Sequence, residues 1–317
     1  MNGPPVRGAA FFEFGDPDVL RIVELPPRHP GAGEVAISVQ DAPVNPTDLL
    51  MRSGAQAVLM RDLAPPYVPG VEFSGEVAEL GEGVDTLSVG TPVMGVVDAR
   101  RPEGGAYSEW IVVPAESVSV IPSRADWSRY AAVPLNGLTA ILALETLALP
   151  SGSSLLVTGA AGALGGYCVQ LACRSGLHVV ADAYSADERL LRSLGAEVVV
   201  SRGPLMEADL RRYFGKGVDG AIDAGRVGAQ VSGSVRDGGK VIRVRASDVA
   251  KLQRIEEQSV SYLTAIRRNG ALRWLAELVA AERLTPRVAA ELPLERVADA
   301  HRALQAGGVR GRLILRV

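Results

Sequence analysis

The chain is poor in the residues that metal sites and disulfides need. Its 317 residues include two cysteines and three histidines. Cys168 and Cys173 fall in one expected helix at a spacing that puts them on different faces, so they are not expected to bridge. Both read as core filler in a reduced, cytoplasmic protein. His29, His178 and His301 are scattered and suggest no ligand set. Lysine is almost missing: Lys216, Lys240 and Lys251 stand against 33 basic residues in all, the rest arginine. With a net charge of −3 and no basic block, the charges read as a solvated surface and nucleic acid is not an expected partner. No apolar run approaches the roughly 18 residues of a membrane span. No basic segment followed by an apolar one opens the chain as a secretion signal would.

What is present is an ordinary apolar content of 47% and a length that suits two domains. Two textures divide the sequence. Up to about residue 124 it is β-rich and cut by Pro and Gly, with strands expected at "EVAISVQD" (34–41), "FSGEVAEL" (73–80) and "AYSEWIVV" (106–113). From about 125 to 263 strands alternate with helices, from "SLLVT" through "LHVVADA", "AEVVV" and "GAID" to "GKVIRV". That alternation means an α/β fold with a parallel, doubly wound sheet. The pattern then changes again, to helices at 271–284 and 294–305 and a closing strand "GRLILRV".

The most informative stretch is "SSLLVTGAAGALGGYCVQLA" (153–172). An apolar strand runs into a glycine-rich turn from Gly159, and the turn into a helix. Ala160, Gly162 and Gly165 occupy the three places of a G-x-G-x-x-G pattern. The middle glycine lets backbone approach a pyrophosphate, and the third lets the helix pack on its strand. Ala163 and Leu164 open the helix, whose N-terminus favours an anion. Following a strand and opening a βαβ unit, this pattern points to a dinucleotide.

Further stretches extend the picture: "VNPTDLLMRSG" (44–54), "PYVPGVEFSGEVAELGEGV" (66–84), "GGAYSEWIVVP" (104–114), "LNGLTAILAL" (135–144), "LRSLGAEVV" (191–199) and "AHRALQAGGVRGRLIL" (300–315). In this order, with the glycine loop, the chain resembles the medium-chain dehydrogenase/reductase superfamily in its zinc-free quinone oxidoreductase (zeta-crystallin-like) branch. The resemblance covers nearly the whole chain. It implies a GroES-like β-rich catalytic domain, 1–124 with 264–317, and a Rossmann domain, 125–263. Cofactor and substrate would meet in the cleft between them.

The resemblance also bears on metal. Zinc-using members have a Cys where this chain has Asn45 and a His where it has Val71. Glu72 alone cannot form a three-ligand site, and the four-cysteine structural lobe is missing. Metal-free chemistry is therefore expected. Reduction of a C=C bond conjugated to a carbonyl, or of a quinone, asks only for hydrogen-bond donors and a proton beside the hydride. "NPTD" is a helix start, with Asn45 as N-cap, Pro46 at N1 and Asp48 at N3. The resemblance adds a second role for Asn45, donating to a substrate carbonyl at the nicotinamide. Tyr67 is a candidate proton donor, with a packing aromatic as its plainer reading.

By the same resemblance Thr139 and Ala224 face the nicotinamide end and Arg312 reaches the pyrophosphate. Asp182 has the spacing of a ribose-binding acid, but alignment puts the selecting position at Ala183, and strand alternation should turn Asp182 away. With Ala183 there a 2′-phosphate fits, and Arg189 and Arg202 are candidate partners for it. Tyr184 stands where relatives carry a small residue and Glu188 where NADPH-binding relatives carry a lysine, and NADPH is favoured over NADH. The expected activity is reduction of a quinone or enone. A dedicated enoyl reductase of a polyketide or acyl thioester is an alternative, and a non-catalytic NADP-binding sensor another. An apolar edge at "SVSYL" (259–263) points to a homodimer.

Overall fold

The structure is a computed structural model and describes residues 4–122, 126–244 and 252–317. The chain folds as two compact units, Met1–Leu135 with Ile266–Val317, and Asn136–Ala265.

The first unit begins with β1 (Val6–Ala10) and β2 (Arg21–Leu25), an antiparallel pair. Then come β3 (Glu34–Pro43), α1 (Pro46–Arg52), β4 (Glu72–Leu80), β5 (Pro92–Val96), β6 (Trp110–Pro114), β7 (Val118–Val120) and α2 (Trp127–Ala131). α3 (Pro134–Leu147) leads out of it. The stretch Trp127–Leu147 has membrane-like length and apolarity, contrary to the expectation that no run would, but 72% of it is buried inside the protein. It is a core element, apolar because protein surrounds it.

The second unit carries β8 (Ser154–Thr158), α4 (Ala163–Arg174), β9 (His178–Ala183), α5 (Glu188–Ser193), β10 (Val198–Ser201), α6 (Met206–Tyr213), β11 (Val218–Asp223), α7 (Ala229–Ser234), β12 (Val235–Arg243) and β13 (Glu256–Ser259). The chain then returns to the first unit with α8 (Asn269–Ala280), β14 (Val288–Pro293), α9 (Val297–Ala306) and β15 (Arg312–Arg316).

The second unit's sheet runs β10-β9-β8-β11-β12-β13, every pair parallel. The central strands β8, β9 and β11 are largely buried, and Leu156, Val180, Val200, Leu210, Ala221 and Val241 share one core. From β8 the chain winds one way to β9 and β10, and from β11 the other way to β12 and β13. The order reverses between β8 and β11, where a doubly wound sheet opens its binding crevice.

The first unit's larger sheet runs β14-β15-β3-β4-β5-β7, with β6 on β3. β15 pairs antiparallel with β3 in a register that sets Ile314 opposite Pro43, and Val44 N–H donates to the Leu313 carbonyl at 2.8 Å. The last strand of the chain thereby brings Arg312 to Asn45.

Two expectations need correction. The strand expected over 106–113 starts only at Trp110, because Ala106 and Tyr107 donate instead to the loop carbonyls of Gly70 and Pro69. The sheet edge is Glu256–Ser259, and Tyr262–Ala265 is a turn of 3₁₀ helix. That edge is polar, with Glu256, Gln258 and Ser259 exposed, so the apolar-edge argument for pairing two copies fails.

Candidate active site

In the first unit the helix start reads as the sequence suggests. Asn45 is the N-cap of α1 with Pro46 at N1, and the Asp48 carboxylate accepts from Asn45 N–H at 2.8 Å. Asp48 also accepts from Gly70 N–H at 3.1 Å and from the Tyr107 hydroxyl at 3.1 Å. That hydroxyl lies 3.4 Å from His301 Nε2. All of this is buried. Burial lifts the Asp48 carboxyl to about 7, despite the two N–H groups and the tyrosine. Burial, with Arg52 nearby, drops His301 to about 3.

The Asn45 side chain does something the sequence did not reveal. It is 0% exposed. Its Nδ2 donates to Glu72 Oε1 at 3.0 Å and to the Pro43 carbonyl at 3.4 Å. Its Oδ1 accepts from Arg312 Nη2 at 2.8 Å. The same Nη2 is ion-paired with Glu72 Oε1, and Glu72 Oε2 accepts from Leu135 N–H at 2.8 Å. The expectation that Asn45 meets a substrate carbonyl is therefore corrected, because its amide hydrogens are spent on buried acceptors. The expectation that Arg312 reaches a pyrophosphate is corrected as well, because its charge answers a buried carboxylate.

The same group tests the site for zinc. Both Glu72 oxygens are engaged, Asn45 offers no soft donor, and a cation already stands opposite the carboxylate. These residues do not fit a catalytic zinc. Among the described residues no group of three or more His, Cys, Asp or Glu is arranged to hold a metal ion. Cys168 and Cys173 are both free, with thiols pushed up by burial to about 12 and about 11.

Tyr67, half-buried, stacks on Phe14 with ring centroids 5.7 Å apart and planes 9° apart. Its hydroxyl donates to the Leu63 carbonyl at 3.2 Å. It is thus part of an aromatic cluster with Phe11 and Phe14.

The second unit holds the glycine loop at the point where the strand order reverses. Gly159 has φ +63°, and a Cβ there would come 2.6 Å from Gly225 Cα. A Cβ on Gly165 would come 2.2 Å from the Gly159 carbonyl oxygen. Gly162 is the N-cap of α4 and donates to the Gly159 carbonyl at 2.8 Å. Ala160 is buried, while Gly162, Ala163 and Leu164 are half-exposed at the mouth of the helix. The cradle fits a pyrophosphate: a glycine N-cap with no side chain in the way, close-packed backbone, and the positive end of a helix of 12 residues.

Beside the loop, Asp182 is 1% exposed. Its Oδ1 accepts from Ala160 N–H at 3.3 Å, and its Oδ2 lies 3.7 Å from Arg202 Nη1. Burial raises its pKa, with Arg202 opposing. The carboxyl is spent under the loop. Ala183 is nearly buried, Tyr184 is exposed, and the Arg202 guanidinium stands over the Tyr184 ring at 5.8 Å and donates to the Gly225 carbonyl at 3.4 Å. Arg189 is exposed on α5, Thr139 buried on α3, and Ala224 half-buried after β11. The structure thus gathers the loop, Ala183, Tyr184 and Arg202 at one end of the sheet. Sequence reasoning passed over Asp48, Tyr107 and His301 as a group, and Arg243 entirely. A charged residue inside the apolar run "GKVIRV" was the available signal.

Residues 31–123 match the alcohol dehydrogenase GroES-like domain, and residues 194–315 match the zinc-binding dehydrogenase family. The human quinone oxidoreductase is 28% identical over 98% of this chain and 97% of its own length. The solved quinone oxidoreductase of Coxiella burnetii superposes with a TM-score of 0.86 at 27% identity, covering 99% of both chains. The chain belongs to the quinone oxidoreductase branch of the medium-chain dehydrogenase/reductase superfamily. An Arabidopsis thaliana mitochondrial enoyl-[acyl-carrier-protein] reductase is 28% identical over 76% of this chain and 66% of its own length. Members of the superfamily are oxidoreductases that bind a nicotinamide cofactor and act on small molecules. Its two-domain plan is the one found here, a GroES-like unit and a Rossmann-type parallel sheet.

Proposed function

We propose that this protein is an NADPH-dependent reductase that delivers hydride, without zinc, to a quinone or to the β-carbon of an α,β-unsaturated carbonyl compound. The observation that carries the reading is the Arg312–Glu72–Asn45 group, in which a guanidinium faces the one carboxylate a metal would use. Alcohol oxidation needs a strong electrophile on the developing alkoxide, and this group offers none. Conjugate reduction leaves an enolate or a hydroquinone oxygen, which asks for hydrogen-bond donors and a proton.

A bound nicotinamide supplies the hydride. Gly162, Ala163 and Leu164 seat the pyrophosphate on the α4 N-terminus. Ala183 leaves room beside the ribose, and Arg202, held by Tyr184, pairs with a 2′-phosphate, with Arg189 as a second cation. The enclosure of Asp182 supports NADPH, since no free carboxylate repels that phosphate. Thr139 and Ala224 stand toward the nicotinamide, and Tyr67 is the proposed proton donor once its hydroxyl leaves the Leu63 carbonyl. The reading includes a cytoplasmic protein, on its two free cysteines, and a homodimer, on the family resemblance.

Steady-state oxidation of NADPH and NADH against a panel of quinones, enones and acyl thioesters, with and without chelator, tests it. We expect turnover with quinones that chelator leaves intact. Arg202→Ala should weaken NADPH by about tenfold or more and leave NADH unchanged. A preference for NADH, or one tightly held zinc per chain, overturns the reading. Turnover confined to acyl thioesters moves the protein to the enoyl reductases, the second reading that the Arabidopsis relative favours.

A further inference from the structure

Arg243 ends β12 inside the Rossmann-type unit with its side chain 5% exposed. Nε donates to Glu257 Oε2 at 3.0 Å, Nη2 to Ser232 Oγ at 2.8 Å, and Nη1 to Asp223 Oδ2 at 3.0 Å. Ser232 Oγ donates in turn to Glu257 Oε1 at 2.9 Å. The side chains of Asp223 and Glu257 are 4% and 5% exposed. One guanidinium therefore balances two buried carboxylates.

Such a group is weak support for stability, since apolar residues of the same volume often serve as well. Its geometry points elsewhere. Asp223 also accepts from Thr158 Oγ1 at 2.7 Å, Val227 N–H at 3.0 Å and Gly228 N–H at 3.2 Å. Thr158 Oγ1 accepts from Gly225 N–H at 3.1 Å. Gly225 lies directly on Gly159, so close that a Cβ on it would come 2.6 Å from Gly159 N. A line of contacts thus runs from Arg243 through Asp223 and Thr158 to the first residue of the glycine loop.

We propose that Arg243 is a positioning residue for the dinucleotide: by fixing the Asp223–Gly228 turn it fixes the loop that receives the pyrophosphate. Glu257 and Ser232 orient its guanidinium. The inference rests on the reading that this unit binds a nicotinamide dinucleotide. Because the pyrophosphate is common to NADPH and NADH, affinity for both depends on Arg243.

The test uses Arg243→Met, with Arg243→Lys/Glu257→Gln as a second variant that keeps one cation for Asp223 and neutralises the other carboxylate. In the cofactor-free protein, R243M should speed amide exchange at Gly159–Gly165 by tenfold or more. In binding titrations it should weaken NADPH and NADH alike by at least tenfold. At saturating cofactor, kcat and the KM for the quinone should stay within about twofold of wild type. The double variant should recover most of the affinity and of the exchange protection. If R243M is folded and has wild-type exchange at the loop, the proposal is overturned. Should R243M not fold, the double variant decides: slow exchange supports the proposal, and fast exchange with its cation retained overturns it. A wild type that binds neither dinucleotide sinks the functional reading and with it the cofactor role of Arg243, while the exchange measurement still decides whether Arg243 fixes the loop.

Discussion

Arg312 and Glu72, 240 residues apart in the chain, form an ion pair that solvent does not reach. Desolvation on this scale costs several kcal/mol per ion, and the attraction repays it only while both partners are present. Glu72 shows the strain in its pKa, which burial raises against the pull of Arg312, Leu135 N–H and Asn45.

Removing one partner should therefore harm more than removing both. Arg312→Met is expected to lose about 3–5 kcal/mol by urea unfolding at neutral pH, because it leaves an uncompensated buried carboxylate. Adding Glu72→Gln to it should restore a large part of the loss. Additive effects of the two substitutions would mean the pair is not coupled.

Asp48 and His301 both touch the Tyr107 hydroxyl, and they titrate in opposite senses. Asp48 rises from 3.8 to about 7 on folding, so its contribution is full below 3.8 and is lost as pH climbs toward 7. His301 falls from 6.5 to about 3, so its contribution is full above 6.5 and is lost as pH drops toward 3. Between about pH 4 and 6.5 the two slopes cancel. Asp48→Asn should therefore become more stable relative to wild type by about 1.4 kcal/mol for each pH unit climbed in that window, and His301→Gln should show the reverse. Unfolding curves at four or five pH values check this; variants that run parallel to wild type refute it.

Two glycines in the loop should fail in different ways. A Cβ on Gly162 would come 3.0 Å from the Gly159 carbonyl oxygen, a contact that a small shift relieves. Gly162→Val should fold and lose dinucleotide binding, since its branched side chain stands where the pyrophosphate enters. Gly165→Ala meets the same oxygen at 2.2 Å and must move backbone. It should lower the melting temperature even without cofactor. Circular dichroism with fluorescence titration separates the two, and normal NADPH binding by Gly162→Val would count against the assigned loop.

Much of this was legible in the sequence, and the limits have a physical cause. "SLLVTGAAGALGG" could be read as strand, turn and helix because each property is local: β-branching, glycine spacing, an apolar helix face. The cap at Asn45, Pro46 and Asp48 was legible for the same reason. The fate of the Asn45 side chain was not, because it depends on the register of β15 on β3 and on an arginine 267 residues away. The edge strand was misplaced because "SVSYL" carries strand propensity, while the neighbours that decide pairing, Lys240 to Arg243, sit on another strand. Arg243 broke an apolar pattern, and its acids at 223 and 257 come together only when β11, β12 and β13 align.

The contact between Gly159 and Gly225 has a consequence for how this protein can change over generations. Two turns from different strands interlock through main chain alone, so neither position can accept a side chain without displacing the other. A change of nucleotide preference therefore finds no room at either glycine. The room for side-chain change lies at the rim, where Tyr184 and Arg189 face solvent and Arg202 rests on its neighbour. The backbone half of the proposed nucleotide seat is thus silent in side-chain terms, and only its rim is open to substitution.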